Sequence, residues 1–145
     1  MREILFRGKT VSREWEYGVP VFSGLNNELA FMKQMHSYDH QVIPETIGQF
    51  TGLTDKNGKK IFEGDIVESD NGRQSAIFVI QFGEYYPKMF YKMLDKFTPG
   101  KKHLPAVGFY GKSIDKGEEV ILFQSQCVTV IGNIHDNPEL LEETT

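Results

Sequence analysis

The residues best suited to bind a ligand are lysines and aromatic side chains that are interleaved between residues 84 and 112. Lysines can follow a phosphate backbone and aromatic rings can stack on bases, so the combination is typical of a face that binds single-stranded nucleic acid. It is equally typical of an amphipathic strand or helix with a solvated basic side. The candidate contact residues for a protein partner or for nucleic acid are Lys88, Tyr91, Lys92, Lys96, Lys101 and Lys102.

The overall charge favours a protein partner over nucleic acid. Sixteen basic and twenty acidic residues give a formal net charge of −4, whereas nucleic-acid-binding domains usually carry a basic surface. Residues 84–112 also contain no arginine, the side chain that best forks onto a phosphate or a guanine edge. We therefore expect an unknown protein partner, with nucleic acid as the second possibility.

Two histidines have a spacing that could serve a metal ion. His36 and His40 stand four residues apart, with Asp39 between them, and a helix would place both imidazoles on one face. A zinc site usually needs a third or fourth protein ligand, and Pro44 indicates that residues 38–43 have already left any helix. We predict that the protein holds no metal and no cofactor.

The sequence contains no convergent catalytic set. Cys127 could act as a nucleophile beside a base, but it begins an apolar run, where a cysteine is usually a small buried hydrophobe. Glu63 and Asp65 would share a strand face as a carboxylate pair, but no nucleophile, ligand cluster or cofactor fingerprint joins them. We expect no catalytic residues and no enzymatic activity.

Short apolar segments separated by turn residues predict a mainly β protein. The alternation of Trp15, Tyr17, Val19 and Val21 predicts the second strand of an N-terminal hairpin, with one buried face. Two segments stay open: residues 24–37 fit either a short helix or a loop and strand, and residues 85–94 fit both helical and strand periodicity.

Roughly eight β segments spaced by turns indicate a meander that closes on itself. We predict a small antiparallel, SH3-like, partly closed barrel with an N-terminal β-hairpin and one or two short helices. The whole chain, 1–145, would be one domain: residues 1–43 would form the hairpin and a variable segment, and residues 44–141 the barrel core. Asn137 and Pro138 predict the start of a short terminal helix.

The expected location is the cytoplasm, without membrane attachment. A single cysteine rules out an intramolecular disulfide and fits a reducing compartment. No apolar stretch approaches the roughly 18 residues that a membrane-spanning helix needs, and the first residues do not have the pattern of a signal peptide.

The densest pattern covers residues 44–67, which read PETIGQFTGLTDKNGKKIFEGDIV. Its glycines, asparagine and aspartate suit sharp turns and close packing, and its last residues are similar to the strand entry of SH3-like barrels. It lacks the Gly-Lys-Ser/Thr ending of a phosphate-binding loop. We interpret the block as specifying the fold, through Gly48, Gly52, Asn57, Gly58, Gly64 and Asp65.

This block resembles the signature of the YopX family. The start of the chain (ILFRGK at 4–9 and EWEYG at 14–18) and its end (VIGNIHDNPELL at 130–141) are also similar to that family. YopX-like proteins are encoded largely by phages and prophages. The resemblance implies a β-rich accessory protein in the cytoplasm of a bacterial host that self-associates into a homo-oligomer, and it carries over no catalytic residue.

Overall fold

The computed structural model describes residues 3–34, 38–70, 72, 75–122 and 127–142. Eleven strands and one α-helix make up most of this part of the chain, and they confirm the mainly β class. The strands are β1 (Phe6–Lys9), β2 (Trp15–Ser23), β3 (Leu29–Lys33), β4 (His40–Val42), β5 (Gly48–Thr54), β6 (Lys60–Phe62), β7 (Asp65–Asp70), β8 (Ser75–Tyr85), β9 (Ala106–Ser113), β10 (Glu119–Ile121) and β11 (Val128–Asn133). The helix, α1, is Lys88–Asp95.

The strands form two antiparallel sheets. The first has the order β4-β3-β2-β1-β5-β6 and the second the order β10-β9-β8-β7-β11. The predicted antiparallel architecture is confirmed. Within the described residues it consists of two sheets, and the strands do not close into a barrel. No helix of the described residues is long and apolar enough to cross a membrane.

The chain divides into two compact units, Met1–Gly52 and Leu53–Thr145. From the sequence we predict one domain in which residues 1–43 precede a core of residues 44–141, and this division stays a prediction. Each unit has its own buried cluster: Ala30, Met32 and Val42 in the first, and Ile61, Val67 and Ile80 in the second.

The first unit contains the expected N-terminal hairpin. β1 and β2 pair antiparallel, with Phe6 opposite Gly18 and Lys9 opposite Trp15. The helical alternative for residues 24–37 is wrong where the structure describes the segment, because Leu29–Lys33 is a strand that pairs with β2. Residues 35–37 lie outside the described part.

The face of β2 that we expected to be buried is exposed. Directly paired residues share a face of a sheet, and Pro20 pairs with buried Met32 whereas Val21 pairs with Phe31. Tyr17, Val19 and Val21 therefore lie on the side away from the buried cluster, and all three are exposed. The alternation identified the strand correctly but not the side that packs.

The second unit places α1 next to the five-stranded sheet. Pro87 precedes the helix. Proline has no backbone N–H, and it is tolerated there because an N–H at the start of a helix has no acceptor within the helix. The helical alternative for residues 85–94 is thus the one that the structure shows. The predicted terminal helix is present as a 3-10 helix, Pro138–Glu142.

Candidate functional site

The residues of the 44–67 block lie in turns and strands of the fold. Gly58, in the β5–β6 turn, and Gly64, in the β6–β7 turn, have φ angles of +82° and +91°, which L-residues with a side chain rarely adopt. Gly48 is buried in β5 opposite Arg7, and Gly52 is exposed in the same strand.

The polar residues of the block bind backbone groups. Asp65 is buried, and its Oδ2 accepts a hydrogen bond of 2.8 Å from the Phe62 N–H. The backbone of Gly64 is held on both sides, since its N–H donates to Ile80 and its carbonyl accepts from Ile134. Asn57 takes part through its N–H, which donates to Asp55 Oδ1 at 2.8 Å. These contacts close the turns around β6.

Asp55 has a larger structural role than the sequence indicates. Its Oδ1 accepts from the N–H groups of Asn57 and Lys59, and its Oδ2 accepts from the Val130 N–H at 3.0 Å. Burial opposes ionisation of the side chain, but these three bonds and the charge of Lys59 outweigh it, so the pKa of Asp55 lies below 3.8. The carboxylate joins the β5–β6 turn to β11.

The lysines of the predicted contact face are exposed. Lys88, Lys92 and Lys96 follow one another at intervals of four residues, so helical geometry places them along one side of α1 and its C-terminal end. Lys101 and Lys102 are exposed in the loop that follows. The structure thus brings three of the five predicted lysines into one row.

Tyr91 is engaged within the protein. Its ring stacks on the imidazole of His103 with centroids 4.4 Å apart and an interplanar angle of 9°, and its hydroxyl donates to the Leu104 carbonyl. His103 Nε2 lies 2.6 Å from Asp95 Oδ1, and the Tyr86 hydroxyl donates to the His103 carbonyl. We call these four residues, Tyr86, Tyr91, Asp95 and His103, the aromatic clasp.

A cavity of about 790 Å³ lies between α1 and the five-stranded sheet. Its floor is the continuation of the buried cluster of the second unit, and its other wall is the apolar side of α1. The lining residues are Val67, Ser69, Phe78, Pro87, Met89, Phe90, Met93, Gly111, Glu119, Val120, Ile121, Leu122, Cys127 and Val128.

The helix covers this cavity without filling it. None of the eight residues of α1 is buried, and Met89 and Met93 remain 67% and 48% exposed although both line the cavity. At the floor, Gly111 contributes no side chain; a Cβ there would approach Val120 Cγ2 to 3.2 Å. The missing side chain at Gly111 lets Val120 and Phe78 pack closely against the backbone of the floor.

Glu119 and Cys127 are the ionisable groups of the lining. Glu119 is half-buried, and its Oε1 accepts a hydrogen bond of 2.8 Å from the Tyr86 N–H. Cys127 is exposed, which shows that our expectation of a buried cysteine is wrong. It precedes β11, and only the residues after it enter the strand.

Those residues considered for metal binding that the structure describes are not gathered into a site. Within the described ranges, no group of three or more histidine, cysteine or acidic residues could hold a metal ion. His40 lies in β4 with its Nδ1 4.0 Å from Glu16 Oε1, and His36 lies outside the described residues. The absence of metal and cofactor stays a prediction.

The comparisons with known proteins decide the family. The model of the YopX protein family matches residues 22–142. The chain belongs to the YopX family. A crystal structure of protein EF1440 from Enterococcus faecalis is similar to this YopX-family chain over 98% of its length and 100% of the other chain, with 25% sequence identity and a TM-score of 0.54. No curated protein matches the chain.

Two features of this YopX-family chain were missed by sequence reasoning. The apolar cavity was missed because its lining comes from five strands and a helix that are far apart in the sequence. The aromatic clasp was missed because the sequence separates Tyr91 from His103 by a loop with no fixed geometry. The only sequence signal for the cavity was the stripe of Met89 and Met93, which is also typical of an ordinary buried helix face.

Proposed function

We propose that this YopX-family chain is a non-catalytic accessory protein, encoded by a phage or prophage, that self-associates and binds another protein in the cytoplasm of a bacterial host. The phage and host parts rest on the resemblance of residues 44–67 to the family signature. Self-association rests on one observation, the exposed apolar face of β2.

This exposed face, which we call the β2 face, consists of Tyr17, Val19 and Val21. They are 45%, 52% and 47% exposed. Leu29, on the neighbouring strand β3, is also exposed. Phe31 pairs with Val21, and Leu29 is two residues from Phe31, so Leu29 lies on the same side of the sheet as the β2 face. A group of exposed apolar side chains often marks an interface, and two such faces can stack as sheets do in β-sandwiches.

A second copy of the chain is a suitable occupant for the β2 face. A two-fold axis would set the same stripe against itself, so that the valines of one copy pack on those of the other. Each valine that becomes fully buried stabilises the assembly, since burial of apolar surface contributes about 25 cal/mol per Å². The face therefore supports self-association in preference to a monomer.

The double substitution Val19→Lys and Val21→Lys tests self-association. We expect the wild-type chain to elute in size-exclusion chromatography with light scattering at a multiple of 16.6 kDa, and the double variant to elute as a single chain, because two ammonium groups would be desolvated at the interface. Val107→Lys is the matched control, since Val107 is an exposed valine on another strand.

Two results would reject self-association through the β2 face. One is a wild-type protein that is monomeric throughout the micromolar range. The other is an assembly mass, measured by light scattering, that is the same for the wild type, the V19K/V21K variant and the V107K control. Circular dichroism of each variant establishes that the fold is retained.

The row of exposed lysines supports nucleic-acid binding as a second candidate. Lys88, Lys92 and Lys96 could neutralise successive phosphates of a single strand. Replacing all three by glutamine should then abolish a gel shift that is seen at low salt and lost as salt is raised. Because Tyr91 stacks on His103, we do not expect it to stack on a base. Lack of retention at micromolar wild-type protein would exclude this candidate.

A further inference from the structure

We propose that the cavity between α1 and the five-stranded sheet is a binding site for a small apolar molecule that carries one protonated amine. The site lies in the second unit and shares no residue with the β2 face. It goes beyond the proposed function, and either proposal can fail without the other.

The size and walls of the cavity suit a small molecule. Its volume of about 790 Å³ falls within the roughly 300–1,000 Å³ of typical ligand sites, which are also lined mainly by apolar side chains. The floor is formed largely by aliphatic residues of the five-stranded sheet, including Val67, Val120 and Val128. Met89 and Met93 close the other side with flexible thioether chains that can adapt to the shape of an occupant.

The charge of the lining selects the head group. Among the described residues that line the cavity, Glu119 is the one with a carboxyl or basic side chain. Its hydrogen bond from the Tyr86 N–H uses one acceptor position, and a carboxylate has about four. An ammonium group can therefore bind the same carboxylate, whereas a carboxylate head group would be repelled by it.

Aromatic walls add to this preference. Phe78 and Phe90 both line the cavity, and the face of a phenyl ring attracts a cation. The lysines of α1 are absent from the lining and are exposed to solvent, where salt screens their repulsion of a cationic ligand. The net preference of the cavity itself is for a cation attached to an apolar body.

Methyl groups of methionine provide a direct measurement. The full chain, labelled with ¹³C at the methionine methyl groups, is titrated with dodecylammonium, dodecanol and dodecanoate below their micellar concentrations. The signals of Met89 and Met93 should shift together and saturate, while the signal of Met32, which is fully buried in the first unit, should stay unchanged. Dodecylammonium should bind most tightly and dodecanoate most weakly.

Filling the cavity should abolish binding. Ser69→Phe introduces a ring at a lining position, and we expect at least tenfold weaker binding of all three probes. Ser75→Phe, the same change at an exposed position of β8, should bind like the wild type. If S69F does not fold, Met93→Lys tests the same wall from the solvent-exposed helix, with Met89 as the remaining reporter and Phe97→Lys as its matched control.

Removing the charge should abolish the preference for the amine. Glu119→Gln keeps an oxygen that can accept from the Tyr86 N–H, and it should weaken dodecylammonium binding about tenfold, the loss expected for one hydrogen bond to a charged group. Binding of dodecanol should change little. Glu118→Gln, at the adjacent exposed residue, should leave both affinities unchanged.

Each of the following results would overturn the proposal. The Met89 and Met93 signals could fail to shift at millimolar probe, or Met32 could shift as much as they do. S69F and M93K could bind as well as the wild type. Dodecanoate could bind as tightly as dodecylammonium, or E119Q could keep the preference for the amine, and either result would reject the assigned ligand class.

Discussion

Asp55 lies at the start of the β5–β6 turn, and its carboxylate accepts three backbone hydrogen bonds, from Asn57, Lys59 and Val130. Because the folded pKa is lowered from 3.8, ionisation of this side chain stabilises the folded state at any pH above that value. The contribution is lost as the pH falls through the folded pKa. Asp55 therefore contributes to the acid sensitivity of the protein.

Asp55→Asn should lower the free energy of unfolding at pH 7 by about 1–3 kcal/mol, because a single amide oxygen cannot accept from both the turn and the Val130 N–H, and one partly buried donor loses its partner. The stability loss of the wild type between pH 5 and pH 2 should become smaller in the variant. Urea unfolding at pH 7 and pH 3 measures both effects.

Asp115→Asn is the control for that experiment. Asp115 is exposed and accepts only a local bond from the Lys116 N–H in the hydrogen bonds described, so its substitution should change the free energy of unfolding by less than about 0.5 kcal/mol. An equal effect of D55N and D115N would contradict the anchoring role of Asp55.

Among the elements, α1 depends on neighbouring contacts for its position. It has eight residues, none of them buried, and no side chain caps its N-terminus. An isolated helix of this length is unstable in water. The aromatic clasp supplies contacts in the middle of α1 and at its last residue, because Tyr91 and Asp95 both contact His103.

His103→Ala should therefore loosen α1 without unfolding the sheets. Loss of a stacked ring pair and of an exposed hydrogen bond together removes about 1 kcal/mol, which corresponds to roughly fivefold faster amide exchange in residues 88–95. Hydrogen–deuterium exchange with mass spectrometry measures this exchange rate. Lys102→Ala, a change at the adjacent exposed residue, should leave exchange unchanged; equal rates in H103A and wild type would exclude the clasp as the support of α1.

For the whole molecule, local signals in the sequence predicted the fold well where the structure is local. The N-terminal hairpin and the turn at Asn57-Gly58 follow from alternation and from residues that tolerate positive φ. The helical state of 88–95 could not be chosen, because Met89, Met93 and their neighbours fit a strand equally well. Tertiary contacts with the sheet and with His103 decide between the two.

The candidate sites were less predictable than the fold. Alternation in β2 shows that one side is apolar, but it does not show whether that side packs inside the chain or against another molecule. The exposure of the lysines could be predicted from the sequence, because a charged ammonium group is stable only where water solvates it. The cavity and the role of Glu119 depend on residues that meet only in three dimensions, and no single segment of the sequence carries their signal.

The bond between Asp55 and Val130 joins residues that are 75 positions apart, and this separation has a consequence for synthesis on the ribosome. At about 5–20 residues per second, Val130 is added roughly 4–15 s after Asp55. During that interval the β5–β6 turn can close by its two local bonds, while the second carboxylate oxygen stays hydrated. β11, which is synthesised seconds after the β5–β6 turn, thus completes the hydrogen bonding of that turn.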